Sequence, residues 1–497
     1  MSQTSAKGIW KVITASSMGT LIEWYDFYIF GSLAVVISTK FFPDSNPTAA
    51  FLSTLATFAA GFVVRPFGAL FFGRLGDLIG RKYTFMVTLM LMGGATFLIG
   101  CVPSFESIGY LAPVLVLILR LLQGLALGGE YGGAATYVAE HAPKGQKGYW
   151  TSWIQTTATV GLFVSLMVIL ATRTVLSESA FDQWGWRVPF WVSILMVFVS
   201  YLIRKKMDES PEFAKAKAEG KTSTNPLKES FGNRYNLKFV LLALFGATMG
   251  QGVVWYTGQF YAMSFMKTVM NIDSSQVDGL LGIALLLGTP FFVIFGWLSD
   301  KVGRKSVMMV GMLLAIVLYR PIYQKMYDTV DVKHKTEITK EASSEPDADQ
   351  NLIITTKTQY NDGTTLKVTS TKDINGRSAK PDAKTLLINS HDKWLLIFLV
   401  WIQVIFVTMV YGPIAAFLVE MFPVKIRYTS MSLPYHVGNG IFGGLLPAIS
   451  TYLVTNAKEA GDAQFYLEGL WYPIIIASIS FVIGMIYIDR KINTLHD

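Results

Sequence analysis

The chain has 497 residues, of which 52% are hydrophobic and only 15% charged, and its formal net charge is +8. Soluble proteins carry about 25% charged residues and need a polar surface, so this composition excludes a soluble globular protein and favours a lipid environment. The positive charge is no sign of a nucleic-acid partner, because the basic residues lie in short loops between apolar segments. The single cysteine, Cys101, excludes an intramolecular disulfide and a cysteine metal site.

The hydrophobic residues are concentrated in segments long enough to cross a membrane, which takes about 20 mostly apolar residues. These segments are Trp10–Ser38, Thr48–Phe72, Tyr83–Val102, Tyr110–Val138, Tyr149–Ala171, Val188–Ile203, Phe239–Met266, Gln276–Leu298, Ser306–Ile322, Trp394–Leu418, Thr429–Val454 and Leu470–Ile488. We expect twelve transmembrane helices. The first is expected to be retained, because no small-residue cleavage site follows it. An even number of helices places both termini on one side of the membrane.

The basic residues predict which side that is. The loops on the side of the termini contain Arg74, Arg81, Lys82, Lys144, Lys147, Arg204, Lys205, Lys206, Lys301, Arg304, Lys305, Lys425, Arg427, Arg490 and Lys491. The short loops of the opposite side contain little beyond Lys40, Arg173, Arg187, Lys267 and Lys458. Because short loops rich in Lys and Arg stay in the cytoplasm, both termini are predicted to be cytoplasmic.

Two connections are much longer than the others. The first divides the chain into a predicted N-terminal six-helix bundle (1–204), a linker (205–238) and a C-terminal six-helix bundle (239–497). In the linker, Ser210-Pro211-Glu212 is typical of the start of a short helix. The second connection, 323–393, lies on the opposite side. Its β-prone segments Asn351–Gln359 and Thr364–Thr371 flank Tyr360-Asn361-Asp362-Gly363, which predicts a small external β-hairpin between helices nine and ten.

Two motifs occur twice in the chain. Gly73–Lys82 follows the second helix and Gly296–Lys305 follows the eighth, and both read G-x-x-x-D-x-x-G-R-K. Glu140–Lys147 follows the fourth helix and Glu420–Arg427 follows the tenth, and both read E-x-x-P-x-x-x-(K/R). Their spacings differ by about what the long outer connection adds. We infer a duplicated six-helix unit with a substrate path between its copies.

The paired loops and the six-plus-six arrangement resemble the major facilitator superfamily. Further motifs resemble its metabolite:proton symporters, and these are Gly19–Phe27, Arg65–Gly68, Arg120–Gly124, Gly128–Gly133 and Glu209–Phe213. That family includes permeases for proline and betaine, α-ketoglutarate, citrate and shikimate. The resemblance implies an all-α membrane protein with the major facilitator fold in a bacterial inner membrane. It also implies a gating role for the paired loops. The connection between helices nine and ten is longer than the family leads us to expect.

Several ionisable side chains of the first half lie inside predicted helices, where each needs a partner or a function because a charge is costly in a membrane. Their estimated depths predict that Arg120 pairs with Asp26 or Glu23. They predict a second pair between Arg65 and Glu130. We expect Asp26, Glu23 and Glu130 to take part in proton coupling, because the proton affinity of a buried carboxylate depends on the charges beside it. The alternative is that the pairs are permanent and fix the register of the helices.

The predicted substrate contacts come from both halves. Arg120 can bind a carboxylate through two hydrogen bonds, and Gln123 lies one turn further along the same helix. The second half has no acidic residue in the middle of a helix, so its candidates are polar and aromatic: Gln251, Tyr256, Gln259, Tyr411 and Asn439. His436 lies near the start of its helix, which favours a structural role over a proton relay. We therefore expect the first half to handle protons and the second to supply uncharged contacts.

Charged residues around the repeated motifs are predicted to form a gate. A carboxylate such as Asp77 or Asp300 can accept hydrogen bonds from helix N-termini and from the arginine of its own motif, which would latch the halves together. The predicted gating residues are Arg65, Asp77, Arg81, Lys82, Glu140, Asp300, Arg304, Lys305, Glu420 and Arg427. The alternative is that these loops serve only as topology signals.

The favoured function is proton-coupled symport of a small carboxylate or zwitterion by alternating access. Arg120 favours an anion, whereas the aromatic faces of Trp255 and Tyr256 can hold a quaternary ammonium group. The alternatives are a proton-independent facilitator, a ligand-sensing transporter homologue or a sugar transporter. An enzyme is disfavoured, because the sequence has no zinc-ligand spacing, nucleophile elbow or nucleotide loop. The expected partners are a small-molecule substrate, protons and the lipid bilayer, without nucleic acid or cofactor, and a monomer is expected.

Overall fold

The computed structural model describes residues 6–42, 47–346, 352–372 and 378–489. Arg490 and Lys491, which belong to the predicted basic side, and Asn351, the predicted first residue of a strand, lie outside these ranges. The described chain consists mainly of long helices that pack side by side, with one small β-sheet at one end of the molecule.

The first two predicted spans form helices that are each broken once. Helix α1 comprises Ala6–Ser32 and Ala34–Phe41, and helix α2 comprises Pro47–Val63 and Arg65–Leu78. Ten further helices in the described ranges are long and apolar enough to span a membrane: α3 (Arg81–Ile99), α4 (Leu111–His141), α5 (Lys147–Val175), α6 (Gly185–Lys205), α7 (Arg234–Val269), α8 (Ser274–Val302), α9 (Arg304–Val330), α10 (Ser390–Met421), α11 (Val424–Glu459) and α12 (Phe465–Tyr487). The twelve helices form two bundles, α1–α6 and α7–α12, as predicted.

The two repeated loops make the same turn. Gly80 between α2 and α3 has φ 130°, and Gly303 between α8 and α9 has φ 95°. Residues with a Cβ rarely adopt this backbone conformation. Glycine therefore allows α2 and α3 to join through two residues, Ile79 and Gly80, and α8 and α9 through Gly303 alone. The bundles contact each other where α2 packs on α11 and where α5 packs on α8. The repeat inferred from the sequence therefore places equivalent helices on both sides of the boundary between the bundles.

Within the first bundle, α2 and α4 approach closely along a row of glycines. A Cβ added at Gly124 would lie 2.1 Å from the carbonyl oxygen of Gly61, and one at Gly128 would lie 2.2 Å from that of Arg65. Small residues permit such backbone contact in membrane bundles, where van der Waals packing holds helices together. This contact fixes the position of Arg65 beside α4.

The external hairpin is confirmed and is part of a larger antiparallel sheet. Its four strands are β1 (Glu337–Pro346), β2 (Leu352–Tyr360), β3 (Thr365–Lys372) and β4 (Ser378–Leu387), in the order β1-β2-β3-β4. The predicted hairpin is β2 with β3. Strands β1 and β4 were missed because Glu, Lys, Ser, Ala and Pro dominate them and are poor predictors of a strand. Helix α9 also continues to Val330, beyond its predicted end at Ile322.

The sheet is anchored to the second bundle. The N–H of Leu386 donates to the carbonyl of Asn271 at 2.7 Å, and the N–H of Asp273 donates to the carbonyl of Leu386 at 3.0 Å. Lys335 Nζ lies 2.6 Å from a carboxylate oxygen of Asp362 and 2.9 Å from one of Asp392. We call this end of the molecule the sheet face, and the end where α1 begins and α12 ends the terminal face.

Candidate functional site

A central cavity lies between the two bundles. The first bundle contributes Glu23, Trp24, Phe27, Phe62 and Arg65 to its wall, and the second contributes Trp255, Tyr256, Tyr411, Tyr435, His436, Asn439 and Gly440. Of the predicted substrate contacts, Tyr256, Tyr411 and Asn439 line the cavity. The aromatic wall residues Trp24, Phe27 and Phe62 were missed, because aromatic side chains in apolar helices do not stand out from the surrounding sequence.

An ion pair forms the polar part of the wall. Arg65 Nη1 lies 3.1 Å from Glu23 Oε1, and the side chains are 15% and 9% exposed. The guanidinium also stacks over the Phe62 ring, 4.2 Å from its centroid. Because both charged groups line the cavity, this is the ion pair that a bound molecule would meet first.

The predicted pair between Arg65 and Glu130 is wrong. Glu130 instead contacts Arg204 of α6, whose Nη2 lies 2.5 Å from Glu130 Oε1, and it accepts a hydrogen bond from Thr88 at 2.7 Å. Sequence analysis assigned Arg204 to a loop, whereas it is the penultimate residue of α6 and only 1% exposed. Depth estimates along a helix also contain no information on which side of α2 faces α1. Glu130 and Arg204 join α4 to α6, away from the cavity wall.

The predicted pair between Arg120 and Asp26 is confirmed, with Nη1 and Oδ2 2.9 Å apart. Arg120 also donates to Gln123 Oε1, and Gln123 donates to Thr96 at 2.6 Å. Arg120, Asp26 and Gln123 are all buried and are not part of the cavity wall. The structure therefore places Arg120 and Gln123 behind the cavity, and it places Arg65, predicted as a gating residue, inside it.

On the side toward the terminal face, a group of tyrosines closes the cavity. The rings of Tyr131 from α4 and Tyr435 from α11 stack with centroids 3.8 Å apart. The hydroxyls of Tyr411 and Tyr435 are 2.6 Å apart, and Gln155 donates to the Tyr131 hydroxyl at 2.7 Å. The ring stack of Tyr131 on Tyr435 connects the two bundles at this side of the cavity, and the hydroxyl contacts hold each ring within its own bundle.

Two further predicted contacts of α7 are also placed by the structure. Gln251 forms an amide–amide hydrogen bond of 3.1 Å with Asn439, so it acts behind a cavity residue. Gln259 is buried but is not part of the wall.

His436 of α11 lines the cavity, beside Tyr435. Its position on the wall gives it a polar group within reach of a bound molecule.

On the opposite side, aromatic rings connect the bundles above the cavity. Trp24 and Trp255 have centroids 5.0 Å apart, and Phe27 and Phe260 have centroids 5.2 Å apart. Each pair takes one ring from α1 and one from α7. The cavity is thus bounded by contacts between the bundles on both sides.

The repeated motifs connect the bundles at the terminal face in a reciprocal way. Asp77, at the end of α2, accepts hydrogen bonds from the N–H groups of Tyr428 (3.3 Å) and Thr429 (2.8 Å) in α11. Asp300, at the end of α8, accepts from the N–H groups of Gly148 (2.9 Å) and Tyr149 (2.8 Å) in α5. Each carboxylate therefore satisfies the first turn of a helix in the other bundle.

Arginines complete both halves of this arrangement. Arg81 lies 2.9 Å from Asp77 and 3.5 Å from Glu140, and its equivalent Arg304 lies 2.5 Å from Asp300 and 2.8 Å from Glu420. The two motifs thus form the same contacts within their own bundles. The last arginine of the second E-x-x-P motif crosses between bundles, with Arg427 Nη1 2.9 Å from Glu140 Oε1.

The lysines of the motifs stay within their own bundle. Lys82 Nζ donates to the carbonyl of Lys205 at 3.2 Å, and Lys305 Nζ donates to the carbonyls of Met485 (2.8 Å) and Ile488 (2.6 Å). Each lysine therefore holds the end of the last helix of its bundle, a stabilising contact at a helix C-terminus.

A linker residue that sequence analysis missed takes part in the same network. Glu212 lies on the short helix Pro211–Ala218, which Ser210 caps as predicted by accepting from the Phe213 N–H. Its carboxylate contacts Arg427 of the second bundle (2.5 Å) and Lys147 of the first (3.1 Å). Although burial opposes the effect, these two cations lower the pKa of Glu212. Its position in Glu209–Phe213 was the available signal.

Known proteins resemble this chain over nearly its whole length. The sequence family described as "Sugar (and other) transporter" matches residues 11–234. The citrate-proton symporter of Salmonella typhi is 30% identical over 92% of this chain and 90% of its own length. The alpha-ketoglutarate permease of Escherichia coli (strain K12) is 29% identical, with 99% and 96% covered. The proline/betaine transporter of the same strain is 26% identical, with 96% and 82% covered.

A solved structure shows the same architecture. The proton:xylose symporter XylE bound to 6-bromo-6-deoxy-D-glucose matches with a TM-score of 0.69, covering 98% of this chain and 97% of its own, at 16% sequence identity. At this identity the likeness concerns the fold. It agrees with two six-helix bundles enclosing a central cavity.

Proposed function

Because this chain belongs to the metabolite:proton symporter family of the major facilitator superfamily, we propose that it couples proton movement to the transport of a small carboxylate or zwitterion. Members of this family are transporters, so the protein is a secondary transporter and not an enzyme. The relatives named for citrate and α-ketoglutarate support a carboxylate, and the relative named for proline and betaine supports a zwitterion. The ion pair of Glu23 and Arg65 in the cavity wall carries the proposal.

The orientation is also part of the proposal. The terminal face is cytoplasmic, since most of the loop lysines and arginines lie there, and the membrane is a bacterial inner membrane. The bundles 1–204 and 239–497 rock against each other about the linker 205–238, and the connection 323–393 stays outside. A single chain encloses the whole cavity, which supports a monomeric transporter.

In the proposed mechanism, Glu23 carries the proton and Arg65 binds the substrate. A substrate carboxylate that approaches the cavity competes with Glu23 for the guanidinium, and Glu23 loses its partner. An unpaired carboxylate in this apolar wall takes up a proton, because a lone buried charge costs more than a neutral acid. Release of the proton and the substrate on the other side restores the ion pair.

The remaining charged residues have supporting roles. Asp26 lies three residues from Glu23 on the same helix and is held by Arg120, so a change at Glu23 alters the field at a second carboxylate. We propose Asp26 as the second member of the proton pathway. The contacts of Glu130 with Arg204 and Thr88 support a structural role for that carboxylate.

Substrate selectivity is proposed to come from the second bundle. Tyr256, Tyr411 and Asn439 present hydroxyl and amide groups to the cavity, which can hydrogen-bond the uncharged part of a substrate. The faces of Trp24 and Trp255 can hold a quaternary ammonium group, which would allow a betaine to bind with its carboxylate on Arg65.

The gate at the terminal face is closed in this conformation. Opening it separates Asp77 from α11 and Asp300 from α5, and it breaks the contact of Arg427 with Glu140. These contacts support the gating role of the repeated motifs and add Glu212 to the gating residues.

Uptake into proteoliposomes tests the proposal. The purified protein is supplied with radiolabelled citrate, α-ketoglutarate, proline, betaine and xylose, with and without an inward proton gradient. We expect the gradient to stimulate uptake of one acid or zwitterion, and Glu23→Gln to abolish that stimulation. The matched control is Glu219→Gln, at an exposed linker glutamate. Equal uptake with and without the gradient would refute proton coupling and the role of Glu23.

A further inference from the structure

Apart from the central cavity, a groove lies on the membrane-facing surface of the second bundle. Its wall is formed by Leu237, Leu241 and Phe245 of α7 and by Ile483 and Tyr487 of α12. The two helices touch closely where Gly246 meets Gly484, since a Cβ at Gly484 would lie 2.5 Å from the carbonyl oxygen of Gly246. The groove occupies the stretch between that contact and the terminal face.

Two cations stand at the open end of the groove. Arg234 and Lys238 belong to its lining and lie four residues apart, on one face of the first turns of α7. Both are exposed, and among the described residues no carboxylate lies within the 4.0 Å ion-pair distance of either. By contrast, the acidic residue closest in sequence, Glu229, is paired with Lys425 at 2.8 Å. The two charges are therefore available to an anion.

The length of the groove matches half of a membrane. Arg234 to Phe245 spans about 16 Å of helix, close to half of the roughly 30 Å hydrocarbon core. Cations at this boundary lie at headgroup depth, where basic residues attract anionic lipids. The apolar wall continues from there to the closed end at Gly246 and Gly484.

We propose that this groove binds one anionic phospholipid from the leaflet at the terminal face, which is the cytoplasmic leaflet in the orientation proposed above. Its phosphate lies between Arg234 and Lys238, and one acyl chain lies along Leu241 and Phe245. The lipid covers the space between the first and the last helix of the second bundle.

Native mass spectrometry of the full-length protein in detergent tests the proposal, with phosphatidylglycerol and phosphatidylcholine of identical acyl chains as probes. The test variant is Arg234→Gln/Lys238→Gln. The control is Lys144→Gln/Lys217→Gln, which removes two exposed lysines from the same face outside the groove. We expect the wild type to retain one phosphatidylglycerol in preference to phosphatidylcholine. We expect the test variant to bind it about 25-fold more weakly, since each of the two basic residues near an anionic surface contributes about fivefold. We expect the control to bind it normally.

Two further arms separate a lipid from a simple anion and guard against misfolding. Inorganic phosphate is expected not to displace the bound lipid, and Leu241→Trp, which fills the apolar wall but keeps both cations, is expected to weaken phosphatidylglycerol binding. Equal retention of the two lipids, equal loss in the control, displacement by phosphate, or full retention in Leu241→Trp would each overturn the proposal.

Discussion

The two bundles carry the same two motifs at equivalent positions, yet they place charge in different positions. The first bundle buries three ion pairs, Glu23–Arg65, Asp26–Arg120 and Glu130–Arg204, among its membrane helices. The cavity wall contributed by the second bundle contains no carboxylate and no arginine among the described residues. At the terminal face, by contrast, Arg81 and Arg304 form equivalent contacts with the carboxylates of their own bundles, and Arg427 adds one contact that crosses to Glu140. The repeated motifs are therefore alike in the two bundles, whereas the charges around the cavity differ.

This difference is informative because a buried charge is tolerated only with a partner. Each carboxylate of the first bundle is held by an arginine from another helix, so the charges also determine how the helices pack. The second bundle meets the same cavity with tyrosines, a tryptophan, the amide of Asn439 and the imidazole of His436, none of which carries an obligatory charge. This difference supports the proposal that the first bundle responds to protons and that the second recognises the uncharged part of the substrate.

The largest expected effect tests the structural ion pair of the first bundle. Arg204→Leu leaves Glu130 buried without its cation, which should lower the free energy of unfolding by about 3–5 kcal/mol. The double variant Arg204→Leu/Glu130→Leu should recover most of that loss. Thermal unfolding of the purified protein in detergent is the measurement. The matched change in the second bundle is Gln259→Leu, which should cost far less, and equal losses would remove the distinction between the bundles.

The second prediction compares the two arginines nearest the cavity. Arg65→Lys should raise the apparent KM for a carboxylate by tenfold or more, because a charged hydrogen bond contributes about 1.5–3 kcal/mol and lysine lacks the planar fork of arginine. Arg120→Lys should leave KM nearly unchanged and lower the maximal rate, since Arg120 lies behind the wall. Initial rates of uptake over a range of substrate concentrations measure both. The reverse result would restore Arg120 as the substrate contact.

The third prediction concerns the repeated motifs at the terminal face, which both bundles contain. Asp77→Asn and Asp300→Asn should each remove a negative charge that faces the N-terminus of a helix in the other bundle, a contact that contributes up to about 1 kcal/mol. The population open at the terminal face should therefore increase up to about fivefold. The two effects should be equal. Spin labels replacing Lys144 and Lys301, in a Cys101→Ser background, report the distance between the bundles. Clearly unequal changes in the distance between the labels would mean that the two copies of the motif do not contribute equally to closing the terminal face.

The smallest effect is expected at the sheet, which is anchored to the second bundle. Although partial burial opposes the effect, hydrogen bonds from Lys335 and from the Thr364 N–H lower the pKa of Asp362 to about 2. The ionised Asp362 carboxylate therefore stabilises the attachment of the sheet fully above its ordinary pKa. This stabilisation is lost as the pH falls through about 2. Burial lowers the pKa of Lys335, but Asp362 and Asp392 raise it overall. The protonated Lys335 amine stabilises the same attachment fully below its ordinary pKa. This stabilisation is lost only when strong alkali deprotonates the amine.

Hydrogen exchange of the Leu386 amide measures this anchoring. It should be independent of pH between about 5 and 9 after correction for intrinsic rates. Lys335→Met should accelerate exchange by at most about fivefold, because partly exposed ion pairs are weak. The exposed Lys333→Met serves as the control. A marked change of corrected exchange within the neutral range would contradict the assignment of these partners.

Much of the fold could be predicted because it depends on patterns along the chain. Apolar length located the helices, and the repeated motifs related α2 to α8 and α4 to α10. The partner of Arg120 could be narrowed to Asp26 or Glu23 because these residues lie at a similar depth near the middle of their helices, and the structure shows that it is Asp26. The turn at Tyr360–Gly363 identified β2 and β3 through its residue types.

The ion-pair partners that the sequence did not predict depend on how each helix is rotated about its axis and on contacts between segments that are distant along the chain. Depth alone could not decide whether Arg65 turns toward Glu23 or Glu130. Arg204 was taken for a loop residue because a positive charge at a helix end usually marks the boundary of the membrane. Glu212 contacts both bundles because the linker helix folds back onto them; its motif marked the residue, but the motif did not predict these partners.

The β-sheet at the sheet face extends beyond the membrane helices of the second bundle, so it should follow the movements of that bundle. The sheet is attached to the ends of α7, α8, α9 and α10 by its backbone hydrogen bonds to Asn271 and Asp273 and by the ion pairs of Lys335. It should therefore move as a rigid body with the second bundle when that bundle tilts. A small rotation at the cavity becomes a larger displacement at the tip of the strands. An antibody fragment bound to the tip could therefore hold one stage of the transport cycle, at a distance from the substrate and without blocking its path.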